Sequence, residues 1–319
     1  MSVTRPLAIV TSLTAALLLA GCGANAGDSG SGRQAVAAFY PLAWVTGRVA
    51  GDGWQVANLT APGKEPHDLS LDIQATADLA QSDLVVLERG FQPGVDDAVE
   101  TNAADVPLVD AAEVVDLLPA AKHDEHSDEG EEGGADEGED HEGHDHGDLD
   151  PHFWQDPLLL ADVADAVAAQ LGETDPDGAA GYDERADALR EELESLDADY
   201  TAGLGSCERT VTVVSHEAFS YLSRYGLTFE AIAGLSPGAE PTPADLARLE
   251  ELARDEGVTT VFSERLASAK MSETLASDLG IETAVLDPLE GLSDETTDED
   301  YLSLMRENLA ALQEANGCR

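Results

Sequence analysis

Histidine is concentrated in one stretch of this chain. Five of the eight histidines fall in the acidic, glycine-spaced tract 122–148. Because histidine is the commonest metal ligand among side chains, such a tract is typical of metal binding. It has too few apolar residues to offset the entropy of ordering its backbone, so we expect most of it to be disordered. The alternative is a solvated acidic linker in which the histidines are incidental. The five are His123, His126, His141, His144 and His146.

The other three histidines and one aspartate share a position relative to the predicted elements. His67, His216 and Asp287 each lie just past a predicted strand, and His152 lies just before a predicted helix. In open α/β sheets, ligands bind in the crevice beyond the carboxyl ends of the strands. A lone histidine in a loop is usually only a surface residue, but here two candidates fall in each half of the chain. Two lobes facing each other across a cleft would bring all four to one point.

The elements that must position these residues are short apolar strands that alternate with helical patterns. This alternation predicts an α/β fold in which each half has a mostly parallel sheet flanked by helices. Segment 176–204 has few breakers and many charges, and we interpret it as one long helix connecting two lobes. The alternative is one more helix packed on a single domain. The predicted strands cover 35–39, 54–59, 84–87, 107–109, 210–214, 227–232, 258–262 and 281–286.

The N-terminus is typical of an exported lipoprotein. Arg5 precedes an apolar run that is too short to span a bilayer but suits a signal-peptide core. The run ends in Leu19-Ala20-Gly21-Cys22, which matches the bacterial lipobox. Acyl chains of the palmitate type on Cys22 would anchor the mature protein to the outer face of the cell membrane. The alternative is an ordinary secretion signal with a chance cysteine.

These patterns predict five segments. They are a signal peptide at 1–21, a flexible tether at 22–34, an N-terminal α/β lobe at 35–174 that contains the tract 122–148, a connecting helix at 175–204 and a C-terminal α/β lobe at 205–319.

Two further cysteines, Cys207 and Cys318, lie in the second half. Disulfides persist in exported proteins, so we predict that these two pair and tie the C-terminus to the start of that half. Two free thiols are the alternative.

The formal net charge is −49. Nucleic acid and anionic substrates are therefore poor partners, while a cation would be attracted. A saline habitat would give the same acidity, and the sequence does not separate the two explanations.

Four segments resemble the motifs of the metal-binding lipoproteins, the solute-binding components of zinc and manganese ABC importers. The resemblance covers nearly the whole mature chain in the right order, and it implies two α/β lobes joined by one long helix, with the metal in the cleft between them. It also implies a His-rich acidic loop where the tract occurs. The segments are Pro66-His67-Asp68, the run from Asp150 to Pro157, Ser215-His216-Glu217-Ala218-Phe219 with Tyr225-Gly226-Leu227, and Leu286-Asp287-Pro288-Leu289.

Carried over by motif, the resemblance implies the metal ligands His67, His152, His216 and Asp287. Some zinc members have a glutamate directly before the first histidine, where this chain has Pro66. Glu65 is displaced by one residue, so we predict Asp287 as the fourth ligand.

Three imidazoles and one carboxylate suit Zn²⁺, whereas manganese sites favour more oxygen ligands. Manganese members of the family typically carry an acidic residue where this chain has His216. The predicted metal is zinc, with manganese as the alternative.

The resemblance implies capture of Zn²⁺ outside the cytoplasm and its delivery to an ABC permease with its ATPase subunit. We expect a monomer with no catalytic activity. A site with four protein ligands leaves no position for a reactive water, and the chain contains no His-Glu-x-x-His motif. The alternative is a zinc-storing or adhesive surface lipoprotein without a transport role.

Overall fold

The computed structural model describes residues 32–120 and 149–319, together with Met1. Two four-stranded sheets organise this part of the chain, and every strand in them runs parallel to its neighbours. Each sheet with its helices is called a lobe below. The prediction of two parallel α/β lobes is confirmed.

The first lobe has the strand order β2-β1-β3-β4. Its central strand β1 is buried over Ala35, Val36 and Ala37, because it lies between two neighbours and under helices on the faces of the sheet. The elements in chain order are β1 (Arg33–Ala37), α1 (Tyr40–Ala50), β2 (Trp54–Asn58), α2 (Ile73–Gln81), β3 (Leu84–Leu87), α3 (Pro93–Asn102), β4 (Leu108–Asp110), α4 (Ala111–Val114), β5 (Leu118–Pro119), β6 (Leu149–Asp150) and α5 (Pro157–Thr174).

A helix of 26 residues, α6 (Ala179–Leu204), follows α5 and leads to the second lobe. It packs on α5, on α1 and on the last helix of the chain. One face of α6 is buried at Tyr182, Leu189, Leu193 and Tyr200, as the predicted helical spacing requires.

The second lobe has the strand order β10-β9-β7-β8. One hydrophobic core continues from the first lobe into the second, while a smaller apolar cluster lies wholly inside the second lobe. The remaining elements are β7 (Val211–Val214), β8 (Thr228–Ala231), α7 (Pro243–Asp255), β9 (Thr260–Ser263), α8 (Lys270–Leu279), β10 (Glu282–Val285) and α9 (Tyr301–Asn316).

Local sequence signals fix where the main helices begin. Proline stands in the first turn of four of these helices, where its missing N–H costs no hydrogen bond. Asp72, Asp156, Thr242 and Asp300 precede helices and accept a hydrogen bond from a backbone N–H of the first turn.

The segment after His216 leads into a short helix. Residues Ser220–Tyr225 form a 3-10 helix instead of an α-helix. Gly226 adopts a left-handed conformation with φ of 95° and ends it, because β8 must start two residues later.

Strands β5 and β6 pair antiparallel, with Leu118 opposite Asp150 and Pro119 opposite Leu149. They therefore join the two chain segments on either side of the His-rich tract. The tract histidines 123, 126, 141, 144 and 146 lie outside the described residues, and so do the signal peptide beyond Met1, Cys22 and most of the tether. Of the helices in the described ranges, none combines the length and the apolar character needed to cross a membrane.

The predicted disulfide between Cys207 and Cys318 is confirmed. It joins the segment after α6 to the last turn of the chain, where Glu208 and Arg209 also donate their backbone N–H groups to the carbonyl of Asn316. The C-terminus is therefore tied to the start of the second lobe.

Reduction of this disulfide should destabilise the protein. The bridged cysteines are 111 residues apart, and releasing a loop of that size should lower the free energy of unfolding by about 4 kcal/mol, because the unfolded chain regains entropy. Thermal unfolding with and without reductant measures the effect. A Cys207→Ser, Cys318→Ser double variant should match the reduced protein and ignore reductant. Equal unfolding temperatures for the oxidised and reduced wild type would contradict the prediction.

Candidate metal centre

Three of the four predicted residues meet at one buried point. The Nε2 atoms of His67, His152 and His216 lie 3.3, 3.3 and 3.2 Å from the same carboxylate oxygen, Oε1 of Glu290. All four residues are buried, and one ligand atom from each lies within 4.8 Å of the others. Among residues 32–120 and 149–319, this is the one group of histidine, cysteine and carboxylate side chains with that geometry.

The distances match those of a tetrahedral metal site. Bonds of about 2.0–2.2 Å from zinc to nitrogen and oxygen, at tetrahedral angles, place neighbouring ligand atoms about 3.3 Å apart. The three distances from nitrogen to Glu290 already have this length. A small cation could enter between the four atoms with little rearrangement of the carboxylate.

His67 is held by the loop between β2 and α2. The side-chain amide of Gln92 donates to the Pro66 carbonyl at 3.0 Å and to the Thr60 hydroxyl at 3.1 Å, and Thr60 donates to the Ala38 carbonyl at 2.8 Å. The His67 ring packs edge-on against Phe91, with ring centroids 4.7 Å apart. These contacts connect the loop to the end of β1 and to the start of α3.

His152 is oriented by the residue at the end of β6. Its Nδ1 lies 2.7 Å from Oδ1 of Asp150, and its backbone N–H donates to the same oxygen at 3.0 Å. Nδ1–H donation to a carboxylate leaves the lone pair of Nε2 directed at the cluster, which is the tautomer that a metal ligand needs.

His216 has the same arrangement in the second lobe. It lies two residues past β7, and its Nδ1 is 2.5 Å from Oε1 of Glu264, the first residue after β9. The Ser215 hydroxyl donates to the same oxygen. The neighbouring strands β7 and β9 therefore place a histidine and its carboxylate partner side by side at one edge of the sheet.

Asp287, the predicted fourth member, does not join the cluster, and Glu290 takes its place. Both carboxylate oxygens of Asp287 are engaged elsewhere. Oδ2 accepts from Nε of Arg265 at 2.9 Å, and Oδ1 accepts from the backbone N–H of Leu289 at 2.9 Å. Asp287 therefore forms the turn after β10, and the turn carries Glu290 to the histidines.

Leu289 gives this turn its shape. Its φ is 59°, the one positive φ outside glycine among the described residues, and its side chain is fully buried. A left-handed leucine is strained, and such strain persists only where the surroundings enforce it, which is common at functional sites. A signal for Glu290 was present in the sequence, since it is a carboxylate followed by Gly291 just beyond the Asp-Pro motif.

Without a metal ion, the surroundings favour the charged forms of both the Glu290 carboxylate and two of the histidines, His152 and His216. Burial would raise the pKa of the Glu290 carboxyl, but the imidazoles, His67 foremost, hold that pKa well below its usual range. Burial would lower the pKa of His216, but Glu264 and Glu290 together raise it to about 10. The pKa of His152 is likewise raised against burial by Asp150 and Glu290. Protons on the imidazoles thus occupy the place where a cation would bind.

Comparison with known proteins gives a consistent set of matches. Residues 35–315 match the family described as "Zinc-uptake complex component A periplasmic". The chain is 34% identical to the zinc-binding lipoprotein AdcA of Streptococcus pneumoniae, over 97% of this chain and 61% of that protein. It is 33% identical to the high-affinity zinc uptake system protein ZnuA of Bacillus subtilis, over 94% of both. The chain thus spans about three fifths of the length of AdcA.

Solved structures agree in fold. The Zn(II)-bound ZnuA-like domain of Streptococcus pneumoniae AdcA is similar with a TM-score of 0.72 and 32% identity, over 89% of this chain and 98% of that domain. The laminin-binding protein Lmb of Streptococcus agalactiae, a bifunctional protein with adhesin and metal transporting activity, is similar with a TM-score of 0.75 and 26% identity, over 89% of this chain and 99% of that chain.

Removing the charge beside His216 should lower the pKa of its imidazole. In the metal-free Glu264→Gln variant, the burial penalty is opposed by Glu290 alone, so the pKa of His216 should fall well below the wild-type value of about 10. Titration of the histidine nitrogens by NMR measures the change. His152, which has its own partner in Asp150, serves as the internal reference. An unchanged pKa of His216 would mean that Glu264 does not set its charge.

Proposed function

Because the chain belongs to the family of periplasmic zinc-uptake complex A components, we propose that it captures Zn²⁺ outside the cytoplasmic membrane and delivers it to an ABC-type permease. The observation that carries this proposal is the convergence of three imidazole Nε2 atoms on one carboxylate oxygen in a buried cluster. The ligands are His67, His152, His216 and Glu290.

The donor set favours zinc over manganese. Three nitrogens and one oxygen at tetrahedral distances match the preferences of Zn²⁺, whereas Mn²⁺ prefers more oxygen donors and a higher coordination number. His216 supplies a nitrogen ligand. Its neighbour Glu217, whose carboxylate could have supplied oxygen, is not a member of the cluster. Measurements of zinc affinity should therefore include Mn²⁺ as the competing ion.

Binding without catalysis fits the same geometry. Catalytic zinc keeps one coordination position for water, but here four protein groups surround the point where the ion would sit. The cluster is also buried, so release requires the protein to move and not merely the ion to diffuse out.

Placement at the membrane rests on the N-terminal sequence and on the relatives. We infer that the lipobox cysteine, Cys22, carries the lipid anchor and that the mature chain acts as a monomer on the outer face of the membrane. The streptococcal relative is named a lipoprotein. The permease and its ATPase subunit are the inferred partners, since the matched family is named as one component of an uptake complex.

The histidine tract is proposed to collect zinc near the site. Its histidines are spread among glycines and carboxylates, and assembling ligands from such a sequence costs binding energy, so its affinity should be well below that of the buried cluster. The strand pair β5–β6 joins the tract to Asp150, two residues before His152, and that connection favours this role.

An adhesive role is a second candidate. The similarity to a laminin-binding adhesin that also has metal transporting activity supports it. Zinc delivery and adhesion are compatible roles. A folded variant that no longer binds metal distinguishes them, because it should lose zinc delivery and keep adhesion.

Substitutions at Glu290 and Asp287 decide which of the two carboxylates is the fourth ligand. Glu290→Gln should weaken zinc binding at least tenfold, because the neutral amide loses the charge at the centre of the cluster. Asp287→Asn should change the affinity less, since Asp287 contacts Arg265 and its own turn. Competition with a chromogenic chelator measures both, and native mass spectrometry gives the stoichiometry. A larger loss in Asp287→Asn would overturn the assignment of Glu290.

Loss of the gene should slow growth of the host only when zinc is scarce. The wild-type gene should restore growth in chelator-treated medium, and added Zn²⁺ but not Mn²⁺ should remove the need for it. The Glu290→Gln gene should restore growth poorly although its product is folded and exported. Full rescue by that variant would contradict a zinc-delivery role and favour the adhesive one.

A further inference from the structure

One backbone carbonyl in the metal-site turn accepts hydrogen bonds from two side chains of the other lobe. The acceptor is the carbonyl oxygen of Pro288. Nε1 of Trp154 donates to it at 2.7 Å, and Nε2 of Gln155 donates to it at 2.5 Å. Both donors are fully buried. We call this group the Pro288 clamp.

Each end of the Pro288 clamp lies beside a metal-site residue. Trp154 and Gln155 stand two and three residues after His152 in the chain, and the Trp154 ring packs against the His152 ring with centroids 5.3 Å apart. Pro288 precedes Glu290 by two residues. The clamp therefore connects the segment that carries a histidine of the first lobe to the turn that carries the carboxylate of the second.

The same turn is also attached to its own lobe. Asn308 of α9 accepts from the backbone N–H of Asp287 at 2.9 Å and donates to the Asp287 carbonyl at 2.7 Å. The hydroxyl of Tyr301, also in α9, donates to the Trp154 carbonyl at 2.5 Å. Helix α9 thus holds both sides of the clamp.

Gln155 shows that the clamp has a cost. Its amide oxygen is buried and has no hydrogen-bond partner among residues 32–120 and 149–319, although a buried polar atom without a partner is destabilising. The amide is oriented so that its nitrogen reaches Pro288 and its oxygen is left unsatisfied. Residues that accept such a cost commonly do so for a functional reason.

We propose that Gln155 and Trp154 are positioning residues for zinc binding, and that they act by holding the turn in the conformation that presents Glu290 to the histidines. This inference rests on the proposed function. The left-handed Leu289 lies between the clamped carbonyl and Glu290, so the strained turn needs contacts that keep it in place. Separation of the lobes would strip the Pro288 carbonyl of both donors and withdraw Glu290 in the same movement.

Gln155→Met is the first test, because methionine keeps the length of the side chain and removes the donor. Loss of one hydrogen bond that acts on the ligand turn should raise the zinc dissociation constant about tenfold and speed zinc release. Trp154→Phe should act in the same direction, and it serves if Gln155→Met does not fold. Chelator competition and stopped-flow release measure the two quantities.

Tyr200→Phe is the matched control. The Tyr200 hydroxyl also donates to a buried backbone carbonyl, that of Met305 at 2.7 Å, and its hydrogen bonds within the described ranges do not include a metal-site residue. Tyr200→Phe should lower the unfolding temperature of the metal-free protein, whereas Gln155→Met should lower it less, because it also removes the unsatisfied amide oxygen. Zinc affinity should stay within about twofold of wild type only in Tyr200→Phe.

A double-mutant cycle with Glu290→Ala tests whether the clamp acts through Glu290. When the carboxylate is absent, Gln155→Met should change the zinc dissociation constant by less than about twofold, because there is no ligand left to position. An undiminished tenfold effect in the Glu290→Ala background would overturn the proposal, as would wild-type affinity and release in Gln155→Met. Failure of the wild-type protein to bind one Zn²⁺ would instead overturn the proposed function.

Discussion

The structure depends on a buried carboxylate that three imidazoles share. Oε1 of Glu290 lies within 3.3 Å of Nε2 of His67, His152 and His216, and none of these groups has appreciable contact with solvent. An uncompensated charge in such a place would be strongly unfavourable. Either protons on the imidazoles or a cation must supply the positive charge, and the fold is built so that the two compete for the same atoms.

The carboxylates behind the histidines follow from that requirement. Asp150 and Glu264 each accept a hydrogen bond from Nδ1–H of a histidine, which directs the other nitrogen of the ring inward. Glu264 and His216 follow the neighbouring parallel strands β9 and β7, whereas Asp150 ends β6 of the antiparallel pair and His152 comes two residues later. The site is therefore a product of topology as much as of residue type.

Much of this arrangement was predictable from the sequence. Apolar strands alternating with helices, proline in the first helical turns and the spacing on α6 gave two parallel lobes with a long helix between them. His67 and His216 were predicted from their positions after strands, and His152 from its position before a helix. The structure places Asp287 outside the cluster, because Arg265, 22 residues earlier in the chain, holds that carboxylate, and sequence position alone does not reveal this contact. Glu290 reaches the site only through a left-handed Leu289, and no periodic pattern predicts a strained turn. Glu264 could have been found, since it directly follows a strand.

The short strand pair β5–β6 has a consequence for how this chain can change over evolutionary time. Because Leu118 and Pro119 pair with Asp150 and Leu149, the two chain segments that flank the tract are held together. Doubling the length of a loop whose ends are already fixed costs only about 0.6 kcal/mol. Substitutions, insertions and deletions between these strands can therefore accumulate while Asp150 and His152 keep their positions, and the histidine content of the tract can be selected independently of the buried site.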